Sequence, residues 1–260
     1  MLSRLQLNWN NKMLRDKWVV GRNIGSGLYG KVFEAKAIDE KMYDKIVKVQ
    51  TLQTNEKYET EVEILKKCFG KSCFPQLCDS FRLDNLNCIV MSREGESIED
   101  VVRRSNNLKF SKENCLRIAH LSMNALHELH RFGFVHRDVH GGNLLLKRNH
   151  RGDLSLGLID FGNASRIDSK KRCYMNHWNT SYRVMKTLSY LTTDDHISAM
   201  YLVVKWSGTN PFNTSQHSLL AAKENFHRNP STLLKNEKKW MADVINSLDA
   251  EANRKSRNMA

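Results

Sequence analysis

The chain has 260 residues, 27% charged and 40% apolar, room for one large domain or two lobes with a sizeable core. No apolar run approaches the length that spans a bilayer, so no membrane partner is expected. A net charge of +13, from 41 basic against 28 acidic residues, favours acidic partners. RNA-binding aromatic motifs and zinc-finger spacings are missing, so nucleic acid is not an expected partner.

The six cysteines (68, 73, 78, 88, 115, 173) form no C-x-x-C pair and no zinc spacing. With no continuous apolar stretch of an export signal in "MLSRLQLNWNNKMLRDKW", they read as reduced core thiols. The expected compartment is intracellular, cytoplasm or nucleus.

In chain order, "WVVGRNIGSGLYGKVFEAKA" (18–37) reads as strand, glycine-rich turn and strand, and "YDKIVKVQ" (43–50) as a further alternating strand. "NEKYETEVEILKKC" (55–68) sets Tyr58, Val62 and Leu65 on one helical face, with Thr54 as its cap. "LNCIVMS" (86–92) reads as a buried strand. Longer helices follow. "SKENCLRIAHLSMNALHELHRFG" (111–133) carries Cys115, Ile118, Ala119, Leu126 and Leu129 at helical spacing, with Ser111 as N-cap and Gly133 as the stop. Another helix is expected to begin at Asp195 and run through "HISAMYLVVKW". The architecture is α+β, a strand-rich lobe followed by a helix-rich lobe, joined near Ser92–Gly95.

Several motifs carry chemistry. Gly25, Gly27 and Gly30 in "GSGLYG" would let a hairpin backbone approach phosphate without Cβ obstruction, although a purely structural hairpin fits them equally well. "KVFEA" alternates like a strand, whereas a dinucleotide turn wants a helix there; Val32 is then placed over a nucleotide base. Lys48 either snorkels to the surface or pairs with phosphates while a helix carboxylate holds it. Glu61 is the expected carboxylate, with Glu59 and Glu63 as solvated alternatives. In "HRDVHGGN", Asp138 can accept a hydroxyl proton and Asn143 can ligate magnesium. Asp160 in "LIDFGN" supplies a second metal ligand.

In this order the motifs resemble the eukaryotic protein kinases, from about Trp18 to Phe212. "CIVMSREGESIEDV" (88–101), "ALHELHRFGFVHRDVHGGN" and "DDHISAMYLVV" resemble the casein kinase 1 group, particularly its divergent nematode branch, with Gly95, Ser97, Ile98 and Asp100 carrying the turn after the hinge strand. The resemblance implies a bilobal protein-kinase-like fold. Its parts are an extension at 1–17, an N-lobe at 18–92, a C-lobe at 93–250 shortened at its end, and a polar tail at 251–260. It implies ATP and Mg2+ as cofactors and a protein substrate. Asp138, Lys48, Glu61, Asn143 and His140 would act in catalysis. Ile24, Gly25, Gly27, Gly30, Val32, Lys48 and the gatekeeper Met91 would surround nucleotide. Asn143 and Asp160 would hold metal, and Asp195 would anchor the catalytic-loop backbone.

Three departures stand out. His140 occupies the position where the serine/threonine kinases carry a lysine, and Gly141 and Gly142 offer no substitute cation. Imidazole ordinarily titrates near ~6.5 and is an unreliable cation at neutral pH. A lost charge at a transferring phosphoryl group is worth about 2.7–4 kcal/mol, so slow turnover is expected, with protonated His140 as a partial replacement. The segment 169–195 has no Ala-Pro-Glu; Lys170, Lys171, Arg172 and Arg183 there read either as an anion site for acidic or pre-phosphorylated substrates or as a solvated basic loop. After Pro211 the helices "HSLLAAKENFHRN" and "KKWMADVINSLDA" are fewer than the family places there, which implies either apolar surface for a partner to cover or a marginally stable lobe. Three functions follow: a serine/threonine kinase, a pseudokinase that binds nucleotide or partners, and a small-molecule phosphotransferase.

Overall fold

The computed structural model describes residues 9–27, 30–105, 107–148, 152–169 and 171–257, without the side chains of Thr54 and Gln216. Leu28 and Tyr29 in the glycine-rich turn, Lys170 and the proposed Thr54 cap therefore lie outside the described residues. The chain forms two compact units. One runs to Gly95 and takes in Ile159–Ala164; the other comprises Glu96–Leu158 and the chain from Ser165.

The first unit is built on strands β1 (Met13–Leu14), β2 (Trp18–Ser26), β3 (Gly30–Ala37), β4 (Lys45–Thr51), β5 (Leu77–Leu83) and β6 (Leu86–Ser92), with helix α1 (Asn55–Lys67). They make one antiparallel sheet in the order β1-β2-β3-β4-β6-β5. Strand alternation decides what each face carries. Val47 and Val49 of β4 enter a core with Trp9, Trp18, Phe33 and Val90, so Lys48 and Gln50 point to the opposite face. α1 buries Tyr58, Val62 and Leu65, the expected stripe, together with Glu61 and Ile64.

Two residues ahead of Trp18 pack onto this sheet. Trp9 is buried and stacks on Phe33 with centroids 5.9 Å apart, and Leu14 is buried on β1. Trp9 and Leu14 thus belong to the sheet's core, while residues 10–13 and 15–17 are exposed. Two isolated apolar residues give no periodicity from which this could be read.

The second unit contains α2 (Ile98–Arg104), α3 (Lys112–Arg131), α4 (Tyr182–Thr187), α5 (Thr192–Trp206), α6 (Leu219–Arg228) and α7 (Lys239–Arg257). Its strands are β7 (Glu96–Ser97), β8 (Phe134–Val135), β9 (Leu144–Arg148), β10 (Leu154–Leu158) and β11 (Ser165–Arg166). They pair as β10-β9-β7 and β11-β8. α5 is buried nearly all round and packs against α3 and α7, as an apolar helix must. Ser111 caps α3 by accepting from Asn114 N–H at 3.3 Å, and Gly133 ends it at φ +87°, where glycine is least strained.

Two helix ends differ from expectation. α5 starts at Thr192, three residues early, because the Asp194 carboxylate caps it by accepting from Leu191 N–H at 2.6 Å. α7 continues to Arg257 with Ala252 buried, so the reading of 251–257 as a polar tail gives way to a helical turn rich in good helix formers. α7 buries Met241, Ala242, Ile245 and Leu248 within its own unit. No helix among the described residues is long and apolar enough to cross a membrane.

Candidate active site

In the first unit, sheet register gathers the nucleotide candidates. Gly25 pairs with Val32, and Val32 with Lys48, so the three form one row across β2, β3 and β4. The three glycines have different roles. A Cβ on Gly30 would lie 2.2 Å from the Val49 carbonyl oxygen, so strand packing alone demands glycine there. Among the described residues a Cβ on Gly27 would meet nothing within 4 Å. Ile24 sits at an irregularity of β2 and is exposed, whereas Met91 is buried on β6 opposite Ile46.

Lys48 is 8% exposed and Glu61 1%. The Lys48 ammonium donates to both Glu61 oxygens at 2.8 Å and to Asp160 Oδ1 at 2.7 Å. Gln50 steadies Glu61 by donating from Nε2 at 3.1 Å. Burial alone would push the ammonium down, but the Glu61 and Asp160 carboxylates outweigh it and hold Lys48 above its ordinary value. Lys48 is therefore a firmly held cation. Glu61, and not Glu59 or Glu63, is the carboxylate that reaches it; Glu59 accepts from Asn55 and Arg82 instead, and Glu63 from Lys67. Asp160 stands in left-handed backbone at φ 62° and caps the following turn by accepting from Gly162 N–H at 3.2 Å. Phe161 is buried against Phe74, which fixes the turn to this unit.

In the second unit, β8 and β9 grip the two ends of the His136–Asn143 segment. Asp195 organises its start: Oδ2 accepts from His136 N–H at 2.8 Å and Oδ1 from Arg137 N–H at 2.9 Å. Tyr190 donates its hydroxyl to Oδ1 at 2.7 Å, and His130 Nε2 lies 2.8 Å from Oδ2. Burial would raise the Asp195 carboxyl, yet the His130 hydrogen bond, the neighbouring His130 and His136 and the Arg137 N–H hold it at about 2. Asn143 donates its Nδ2 to the Asp138 carbonyl at 2.9 Å, leaving its amide oxygen as the acceptor. Asn179 donates to the Val139 carbonyl at 2.6 Å.

The His140 ring bonds to its own loop. Its Nδ1 accepts from Gly142 N–H at 3.1 Å and caps the Gly141–Asn143 turn. Arg183 is likewise withdrawn from the expected anion site: it pairs with Asp194 and donates to the Ser189 carbonyl at 3.0 Å. Lys171 and Arg172 remain exposed.

Within the first unit the charged Lys48 suits phosphate, and the Asp160 carboxylate is a hard ligand of the sort magnesium takes. Within the second unit the Asn143 amide oxygen is a ligand of the same hard kind. Among the described residues no cluster of three or more His, Cys, Asp or Glu could hold a metal by itself.

The family model for the protein kinase domain matches residues 18–255. The chain belongs to the protein kinase family. A Caenorhabditis elegans protein named for casein kinase I is 29% identical to this kinase-family chain over 199 residues, which is 72% of the chain and 58% of the relative. A Dictyostelium discoideum protein named as a serine/threonine-protein kinase is 31% identical over 160 residues, 60% of the chain and 31% of the relative. The chain thus spans less than two thirds of either relative. A crystal structure of a kinase domain superposes with a TM-score of 0.70 at 22% identity, covering 82% of this chain and 71% of that one. This likeness establishes the fold: a β-rich unit and a mainly helical unit, as expected for a kinase.

Sequence reasoning missed Gln50, Tyr190, His130 and Asn179. Gln50 was within reach, because a strand residue two places after Lys48 shares its face. The other three come from separate elements and carry no local pattern.

Proposed function

We propose that this chain is a casein kinase 1-like serine/threonine kinase that transfers phosphate from ATP, with Mg2+, to protein hydroxyls. The observation that carries this reading is Lys48, buried and charged between Glu61 and Asp160. A structural lysine does not need two carboxylates, whereas a phosphate-binding lysine needs one to orient it and leaves the other for metal.

Magnesium ATP supplies the γ-phosphoryl group and neutralises its developing charge. Lys48 and Asp160 are the first unit's contribution, for phosphate and metal. Asp138 and Asn143 are the second's, Asp138 accepting the proton of the acceptor hydroxyl and Asn143 offering its amide oxygen to metal. Asp195 keeps the loop's backbone in place, and Ile24, Gly25, Gly27, Val32 and Met91 contact nucleotide. The two units correspond to N- and C-lobes, and substrates with acidic or pre-phosphorylated residues suit the chain's positive charge. Transfer of label from ATP to a peptide library, with Asp138→Asn as control, tests the reading.

His140, engaged in capping its own loop, favours a second reading, a pseudokinase that binds nucleotide or protein partners. His140→Lys separates the two. A lysine would restore the cation but cannot accept from Gly142 N–H. We expect kcat to rise by at least about tenfold with the ATP KM unchanged, because the gain belongs to the transition state, while stability falls by about 1 kcal/mol with the lost cap. Steady-state kinetics and denaturant titration check both. Unchanged kcat would leave His140 with its capping role alone.

A further inference from the structure

Lys223 on α6 is fully buried and has no part in the chemistry above. Its Nζ donates to the Thr180 carbonyl and, at 3.2 Å, to the His177 carbonyl. Met185 Sδ lies 3.6 Å away, and the rings of Tyr201 and Phe212 each lie 5.3 Å from the ammonium. Burial pushes this lysine down to about 7, and no carboxylate opposes that effect. An amine sequestered without a countercharge is a poor stabiliser, so its contacts are the place to look for its purpose.

Those contacts converge on one turn. His177 and Thr180 are bonded to each other, Thr180 N–H to the His177 carbonyl at 3.0 Å and His177 N–H to Thr180 Oγ1 at 3.1 Å. Between them stands Asn179, whose side chain holds the Val139 carbonyl at 2.6 Å. Val139 joins Asp138 to His140. The path from ammonium to loop therefore runs through two carbonyls, one tight turn and one amide, all inside the second unit.

We propose that Lys223 is a positioning residue for phosphoryl transfer, clipping the 177–180 turn so that Asn179 fixes the backbone between Asp138 and His140. This rests on the kinase reading for its consequence in catalysis, but the mechanical link stands on geometry alone. Lysine suits the task because one nitrogen reaches two carbonyls at once, and the Tyr201 and Phe212 faces stabilise its charge where water cannot. A methionine would fill the same space and leave the turn without its donor.

The test compares the full chain with Lys223→Met and Asn179→Ala, by amide hydrogen exchange and by transfer. In Lys223→Met, exchange of the amides of residues 138–143 is expected to speed up by at least about tenfold while the interior of α3 keeps its protection. Asn179→Ala is expected to reproduce this pattern, and the double variant to add little, because both changes cut the same path. Transfer kcat is expected to fall by about 10- to 100-fold with the ATP KM unchanged, the range associated with misplacement of reacting groups. Unaltered exchange at residues 138–143, or equal acceleration throughout the unit, would overturn the proposal. If Lys223→Met does not fold, Asn179→Ala with wild-type exchange at the loop would overturn it as well. Absence of transfer by the wild type would instead count against the kinase reading, and the exchange result would still decide the role of Lys223.

Discussion

Lys48→Met is expected to lower kcat/KM for phosphoryl transfer by at least about two orders of magnitude, the loss seen when a preorganised charge at the reacting centre is removed. It is also expected to destabilise the first unit by up to about 3 kcal/mol, because Glu61 would be left buried with Gln50 as its remaining neutral donor. The two effects separate. Adding Glu61→Gln removes the stranded charge, so stability should recover while transfer stays low. Denaturant titration and steady-state kinetics on the single and double variants check this. Transfer that returned along with stability would show that Lys48 serves the fold and not the phosphate.

Asp195→Ala should produce the largest loss of stability. It strips the acceptor from His136 N–H, Arg137 N–H and the Tyr190 hydroxyl, and removes the neighbour of His130, all within a buried site. A loss of about 3–5 kcal/mol is expected at pH 7, with transfer abolished as the loop loses its anchor. The pH dependence is diagnostic. Asp195 is held at about 2 against an ordinary 3.8, a difference worth about 2 kcal/mol. Because the folded-state value is depressed, this stability is complete above pH 3.8 and lost as pH falls through 2. The gap between wild type and Asp195→Ala should therefore narrow by about 2 kcal/mol between pH 5 and pH 2 in urea titrations. A gap constant with pH would mean that Asp195 gains nothing from its ionised form.

Much of this architecture was legible because local patterns agreed with tertiary demands. The alternation of β4 settles that Lys48 faces away from Val47 and Val49, and the stripe of α1 settles which glutamate lies on the buried side. Sequence failed where a residue works against its type. Lys223 sits in an amphipathic helix where a lysine ordinarily marks the wet face, yet it is wholly buried. Arg183 lies in a basic segment that suggests an anion site, yet its partner is Asp194, eleven residues on. His140 was legible as a missing cation but not as a cap, because the close return of Gly142 N–H to its ring depends on two successive glycines whose backbone path is set by the strands on either side.

Phosphoryl transfer is the property on which the proposed function of this protein kinase family chain stands or falls. Radiolabelled ATP and magnesium, offered with a peptide library that includes acidic and pre-phosphorylated members, test it most directly when wild type is run beside Asp138→Asn. Slow transfer to serine or threonine by the wild type is expected, clearly above Asp138→Asn. Equal labelling by the two proteins would contradict it and mark the chain as a pseudokinase.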